Sequence, residues 1–387
     1  MRITRERKVT RPCRVHGFVN EIFGDDMHAA RVQSLGNAVV GVIQAGVLGI
    51  HAIGEAYAQF ASISRKAGVK QVDRLLSNGK LCVDAALRVW VNYVVGERTE
   101  LLLAMDWTEF DGDNHSVLAV YLVTNHGRST PIAWHTVEKS SLKGNQRRYE
   151  YEMIERLHHS LDLSKRVTIL ADRGFGDQKL YKFLTSLGWD FVIRFRQGIH
   201  VTSAAGETRK AGQWLGPSGR AKMLRGASVT AARLQVPAVV VTWDKEMKEP
   251  WCLATSLSSE SAAQVVKRYG RRFTIEETFR DHKDLHFGMG LKATHIGSAA
   301  RRDRMLLIAA LAHALLTLLG AAAERAGLDR IHKANTVKRR THSLFRQGVY
   351  WYHAIPNTRK EWLVPLLESY DQILRERGDL CEILGVI

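Results

Sequence analysis

Apolar and polar positions follow three rhythms along the chain, and the changes of rhythm divide it. Up to about residue 95 the pattern is helical: the stretch from Ala29 through Ile53 is apolar and rich in small residues, and ASISRKAGVKQVDRLLSN reads as two short helices with Gly68 near the turn. From about residue 100 the period shortens. LLLAMDWTEF, VLAVYLVTN and PIAWHTVEK read as strands, with NHGRS as a hairpin-like connection between the last two. A helix follows in QRRYEYEMIERLHHSL, then a strand in RVTILADRGFG, a helix in DQKLYKFLTSLG and a strand in WDFVIRFR. Three strands, helix, strand, helix, strand is an α/β order with a mixed sheet.

Between Gln197 and Leu257 the helical signal disappears, and ASVTAARLQV, AVVVTWD and PWCLATSL, punctuated by Gly and Pro, predict an all-β insertion. A long helix is then expected through RYGRRFTIEETFRDHKDL. After it comes MLLIAALAHALLTLLGAAA, Met305 to Ala323, close to the roughly 20 apolar residues of a membrane span. It holds His313 and Gly320 and has no comparable companion, so a core helix apolar on all sides is expected and no membrane partner. The expected division is a helical region over 1–95, a mixed-sheet domain in two parts over 96–196 and 258–325, the β insertion over 197–257 between them, and a helical C-terminal region over 326–387.

Size and composition bound the function. A chain of 387 residues with 45% hydrophobic residues can bury a large core. A formal charge of +17 points to a polyanionic partner, with nucleic acid ahead of an acidic membrane surface. Cys13, Cys82, Cys252 and Cys381 are scattered and form no CxxC pair, which argues against a zinc site or disulfide framework and fits a reducing cytoplasm. The opening MRITRERKVTRPCR has no apolar core of a signal peptide. Its cations, Arg2, Arg5, Arg7, Lys8, Arg11 and Arg14, suit either backbone binding or a disordered arm. The helix pair around Gly68 suits a helix-turn-helix presenting Lys70, Gln71 and Arg74 to DNA, or an ordinary pair in a helical bundle.

The candidate chemistry lies in acids and cations. Asp106 and Asp172 each end an apolar strand-like run, and strand ends are where ligand chemistry collects in open α/β sheets. On neighbouring strands the two carboxylates emerge together, and Glu276 on the later helix can complete a three-acid cluster for hard divalent cations. At roughly 100° per residue, Arg272, Glu276, Arg280 and Lys283 fall within about 60° of Tyr269, a row of phosphate-seeking groups around one carboxylate. Taken alone the row reads equally as a solvated charged face. Glu109, Asp111 and Asp113 are rival ligands near Asp106. His282 and His286 have the spacing of a zinc pair but point away from Glu276 without a third ligand, so packing or surface roles are expected. There is no phosphate-binding loop of Walker type.

Tyr269, Arg272, Glu276 and Lys283 form Tyr-x2-Arg-x3-Glu-x6-Lys, and MDWTEF and LADRGF place Asp106 and Asp172 ahead of it in order. In this the chain resembles the DDE transposases of bacterial insertion sequences, specifically the IS-four family. KQVDRLLSN, EPWCLATSL, IEETFRDHK and MLLIAALAHAL extend the similarity over about residues 70 to 350. The resemblance implies an RNase H-like α/β catalytic domain with a β insertion before the glutamate helix and helical N- and C-terminal regions. It implies that Asp106, Asp172 and Glu276 hold two Mg2+ ions, with Mn2+ able to substitute. It further implies that Tyr269, Arg272, Arg280 and Lys283 grip the backbone of the transposon end, and that Trp251 stacks on a flipped base. The implied activity is cut-and-paste DNA transposition through end nicking, hairpin formation and strand transfer. The implied partners are terminal inverted repeats, target DNA and a second copy of the chain in a synaptic dimer. Two other classes stay open at this stage: a metal nuclease without strand transfer, and a DNA-binding protein that has lost catalysis.

Overall fold

The computed structural model describes residues 14–334 and 336–385; of the basic arm, Arg14 lies within them and the other five cations outside. Among the described residues the core is one mixed sheet of ten strands, in the order β3-β2-β1-β4-β5-β10-β9-β8-β6-β7. Strands β1 (Glu100–Phe110), β2 (His115–Val123) and β3 (Ser129–Glu138) form an antiparallel meander. The β2–β3 turn contains Gly127 at φ +81°, a backbone conformation that glycine adopts without steric cost. Every residue of β2 is buried, as expected for a strand covered on both faces. After the short helix α6 (Lys139–Leu142) and the helix α7 (Gln146–Ser160), β4 (Arg166–Ala171) and β5 (Asp190–Phe195) add in parallel to β1, with α8 (Gln178–Ser186) as the crossover between them.

The insertion continues this sheet. β6 (His200–Thr202), β7 (Thr208–Lys210), β8 (Lys222–Val229) and β9 (Leu234–Thr242) lead to β10 (Trp251–Thr255), which pairs antiparallel with β5. The chain therefore returns to the central strands before its next helix begins.

Helices cover the sheet and form both ends of the described part of the chain. Residues 14–23 form α1, followed by α2 (Ala29–Ala45), α3 (Ile50–Ala61), α4 (Arg65–Ser77) and α5 (Val83–Val95). The two short helices expected within residues 61–78 are one: α3 ends at Ala61 and α4 runs unbroken through Gly68, which therefore lies inside a helix and not at a turn. A Cβ there would sit 2.2 Å from the Gly54 carbonyl oxygen, so the glycine serves a close helix crossing. The turn is made by residues 62–64, where Ser62 is at φ +56° and the Ser64 hydroxyl caps α4. Lys70 and Arg74 are exposed and Gln71 is half-buried.

The apolar stretch beginning at Met305 is the middle of α11 (Ala299–Arg325), which is long and apolar enough to cross a membrane but whose apolar window is wholly buried. It packs between β3, α2 and the C-terminal helices α12 (Leu344–Ala354), α13 (Lys360–Arg375) and α14 (Arg377–Leu384). The α11–α12 crossing depends on two glycines: a Cβ on Gly320 would lie 1.9 Å from Leu344 O, and one on Gly348 1.7 Å from Leu316 O.

The single long helix expected through Arg268–Leu285 is two, α9 (Ala262–Gly270) and α10 (Phe273–Lys283). At the junction the N–H groups of Arg271, Arg272, Thr274 and Ile275 bond to carbonyls three residues back instead of four. This tightening follows Gly270, a poor helix former. It breaks the uniform 100° step on which the shared face was drawn. Tyr269 and Arg272 turn inward, to 1% and 5% exposure, while Glu276 and Arg280 face outward.

Candidate active site

Parallel pairing between β1 and β4 ends at Met105 opposite Ala171, so the next residues on the two neighbouring strands are Asp106 and Asp172. Apolar residues fill both strands up to that level because the sheet is covered on both faces there. Asp172 follows the end of β4, as expected. Asp106 does not end its strand: β1 runs on to Phe110 because antiparallel pairing with β2 continues beyond Asp106, itself opposite Ala119. Asp106 therefore marks the end of parallel pairing instead.

Each aspartate is held locally. Asp106 Oδ1 accepts from the Trp107 N–H at 2.9 Å, and Asp172 Oδ1 accepts from the Gly174 N–H at 2.7 Å, capping a turn over Arg173–Phe175. Behind them lies a support that the sequence reading missed. Glu150 on α7 is fully buried and accepts from Trp107 Nε1 at 3.0 Å and Arg147 Nη1 at 2.7 Å, while Arg147 Nη2 donates to Gly174 O at 3.0 Å. One helix thus braces the backbone beside both aspartates. The Arg-x-x-Glu spacing in the predicted helix was the available signal, but nothing local distinguishes it from a surface pair.

Glu276 comes from α10 and is linked to Asp106 by Arg272. The Arg272 guanidinium donates to Asp106 Oδ2 at 3.0 Å and to Glu276 Oε1 at 2.5 Å, with its carbon 4.8 Å from the Phe273 ring centroid. Burial raises the Asp106 carboxyl to about 6; Arg272 opposes that shift, and the negative charges of Asp172 and Glu276 add to it. Three carboxylates are thus close enough to act on one another electrostatically. The rival acids are engaged elsewhere: Glu109 and Asp111 pair with Lys139, and Asp113 pairs with Arg302 and accepts from the Ile296 N–H at 3.2 Å.

All-oxygen anionic donors and a buried carboxyl destabilised by its neighbours are the chemistry that suits a hard divalent cation. By that test the three acids fit one. Among the described residues, however, no three His, Cys, Asp or Glu side chains already form a metal-holding group. Between Asp106 and Glu276 the positive charge is supplied by Arg272.

The remaining candidates divide into two sets. Tyr269 is packed edge-on against Trp251, with centroids 4.9 Å apart and planes at 76°, and Trp251 stacks on exposed Phe273 at 5.8 Å and 26°. Trp251 is half-buried in this aromatic group. Phe273 was not anticipated, since an aromatic at the start of a helix has no chemical signature of its own. Arg280 is exposed and pairs with Glu277 at 3.2 Å. Lys283 Nζ donates to Thr108 Oγ1 at 2.9 Å and Glu109 O at 2.8 Å, just beyond Asp106 on β1. Burial and then nearby Lys292 lower the Lys283 ammonium to about 8. His282 is buried against His313 at 5.2 Å, whereas His286 is exposed.

Comparison with known families matches residues 99–315, more than half of the chain, to a model described as the transposase DDE domain. The matched stretch contains both aspartates, the insertion, Glu276 and most of α11. No curated protein matches the chain.

Proposed function

Since the chain belongs to the transposase DDE-domain family, whose enzymes use divalent metal ions, we propose that it performs cut-and-paste transposition with Asp106, Asp172 and Glu276 as its metal ligands. The observation that supports this most is the convergence of three carboxylates from β1, the end of β4 and α10 where the parallel pairing of two interior strands ends. Two Mg2+ ions, replaceable by Mn2+, would supply Lewis-acid activation of the attacking oxygen and stabilisation of the leaving oxygen.

The chain's own residues bind and orient the DNA. Exposed Arg280 and half-buried Lys283 lie one and two turns beyond Glu276 on the same helix, so both can neutralise phosphates flanking the scissile bond. Trp251 and Phe273 offer an aromatic surface beside Tyr269 on which an unstacked base can rest. Water opens a phosphodiester at the terminal repeat and leaves a 3′ hydroxyl. That hydroxyl attacks the opposite strand, forming a hairpin and releasing the flanking DNA. A second water reopens the hairpin, and the 3′ hydroxyl then displaces a 3′ oxygen in target DNA. A homodimer holds two ends together in this scheme.

The test is to incubate full-length protein with a labelled terminal-repeat duplex and a plasmid target in Mg2+ or Mn2+. Nicked, hairpin and joined products in sequence are expected. Nicks without hairpins or joined products would instead identify a nuclease that lacks strand transfer.

A further inference from the structure

We propose that Arg272 is an internal counter-ion that competes with the divalent cation for Asp106 and Glu276, so that loading the site requires its release. The proposal rests on the three-acid reading above. Arg272 is 5% exposed and spans two of the acids with separate nitrogens, leaving Nε buried without a hydrogen-bond partner. A buried guanidinium normally has its donors satisfied, so the fork has been positioned by the two carboxylates at the expense of its third donor position. The i−3 bonded junction between α9 and α10 places it there.

Two positive groups cannot share these oxygens at low cost. A divalent cation held by Asp106 and Glu276 would have to compete with a guanidinium already bound to the same carboxylates, and repulsion between buried like charges is strong. Without either cation, the neighbouring carboxylates would repel one another. Arg272 therefore keeps the metal-free site folded and charged while blocking it. An anion that accepts the guanidinium would release the carboxylates. A DNA phosphate is such an anion, since the arginine fork matches its geometry. By linkage, whatever draws Arg272 away tightens cation binding by the same factor.

This role differs from a structural salt bridge in the sign of its effect on metal affinity. The test is titration of full-length, DNA-free protein with Mn2+ alone, reading free Mn2+ by electron paramagnetic resonance. Arg272→Gln is expected to bind Mn2+ about tenfold or more tightly than wild type, within the usual range of coupling between sites. Arg272→Lys, with one point charge in place of the fork, should fall between them. Unfolding temperature gives a second reading: Arg272→Gln should be less stable in chelator and gain more from Mn2+ than wild type. The Asp106→Asn change added to Arg272→Gln should remove the gain. Equal or weaker Mn2+ binding by Arg272→Gln overturns the competition. If DNA cleavage is nevertheless lost in Asp106→Asn, the three-acid reading stands without it; cleavage that survives Asp106→Asn sinks that reading whatever the titration shows.

Discussion

The two sides of α10 are built for opposite purposes. One side is anchored: Ile275, Thr278, Asp281 and His282 are buried. There the Ser129 N–H donates to Thr278 Oγ1 at 2.9 Å, Arg128 Nε donates to Asp281 Oδ2 at 2.5 Å, and His282 packs against His313 of α11. The other side carries Glu276 and Arg280 to the surface. The anchored side satisfies its hydrogen bonds and charges within the fold, apart from the His282 ring nitrogens, which have no hydrogen-bond partner. On the presented side Glu276 is paired with the buried Arg272, and Arg280 with Glu277. The position of Glu276 is thus set by contacts on the opposite side of its helix, in addition to its pair with Arg272.

Substitutions should separate these roles. The largest effect on activity is expected from Glu276→Gln, which keeps the shape and removes a charged ligand. Cleavage of a terminal-repeat duplex should fall by at least about 10²–10³-fold, the scale of losing one strong electrostatic contribution to a transition state. Its thermal midpoint should stay near that of wild type, since the side chain is exposed. Asp281→Ala should reverse the pattern. It removes the nearer of two carboxylate partners from the mostly buried Arg128, leaving Glu277 at 3.5 Å, and should cost about 3 kcal/mol in denaturant unfolding, with metal affinity at the acids changed little.

A third effect is read by pH. Burial and then His313 lower the His282 imidazole to about 3, so it stays neutral in the folded protein. Unfolded, it takes up a proton near its ordinary value of about 6.5, so stability must decline as pH falls below that value. One such group contributes up to about 1.4 kcal/mol per pH unit. His282→Phe should flatten the dependence of unfolding free energy on pH between about 6 and 4 by up to one proton. An unchanged slope would mean that the imidazole is charged in the fold. The smallest structural effect is expected from Arg280→Ala, within about 0.5 kcal/mol of wild-type stability because its pair with Glu277 is exposed. Its effect on DNA should still be measurable: the slope of log affinity against log salt should become shallower by about 1 if Arg280 contacts one phosphate.

The same contrast explains what could be read from sequence. Asp106 and Asp172 were legible because each follows an apolar run, and local pattern predicts where such runs break. The core role of α11 was legible from an unbroken apolar stretch interrupted by His313 and Gly320. Helical periodicity failed at Arg271 and Arg272 because it assumes one turn geometry throughout. That error placed Tyr269 and Arg272 on the presented side, although both are buried. Glu150 escaped notice, since its burial is decided by Trp107, a residue remote in sequence, and for His282 the sequence left packing and surface roles undivided until His313 was placed against it. The joining of β10 to β5 is likewise a non-local pairing across the whole insertion, beyond the reach of alternation along one strand.

The central claim is that three acids from separate elements act as one unit. Metal-dependent cleavage by Asp106→Asn, Asp172→Asn, Glu276→Gln and the triple variant, measured on one terminal-repeat duplex, tests it directly. Groups that act together lose nearly everything when any one is removed. Each single variant is therefore predicted to fall to the level of the triple variant. Three partial losses that multiply to the triple value, or full cleavage retained by any single variant, would contradict the claim.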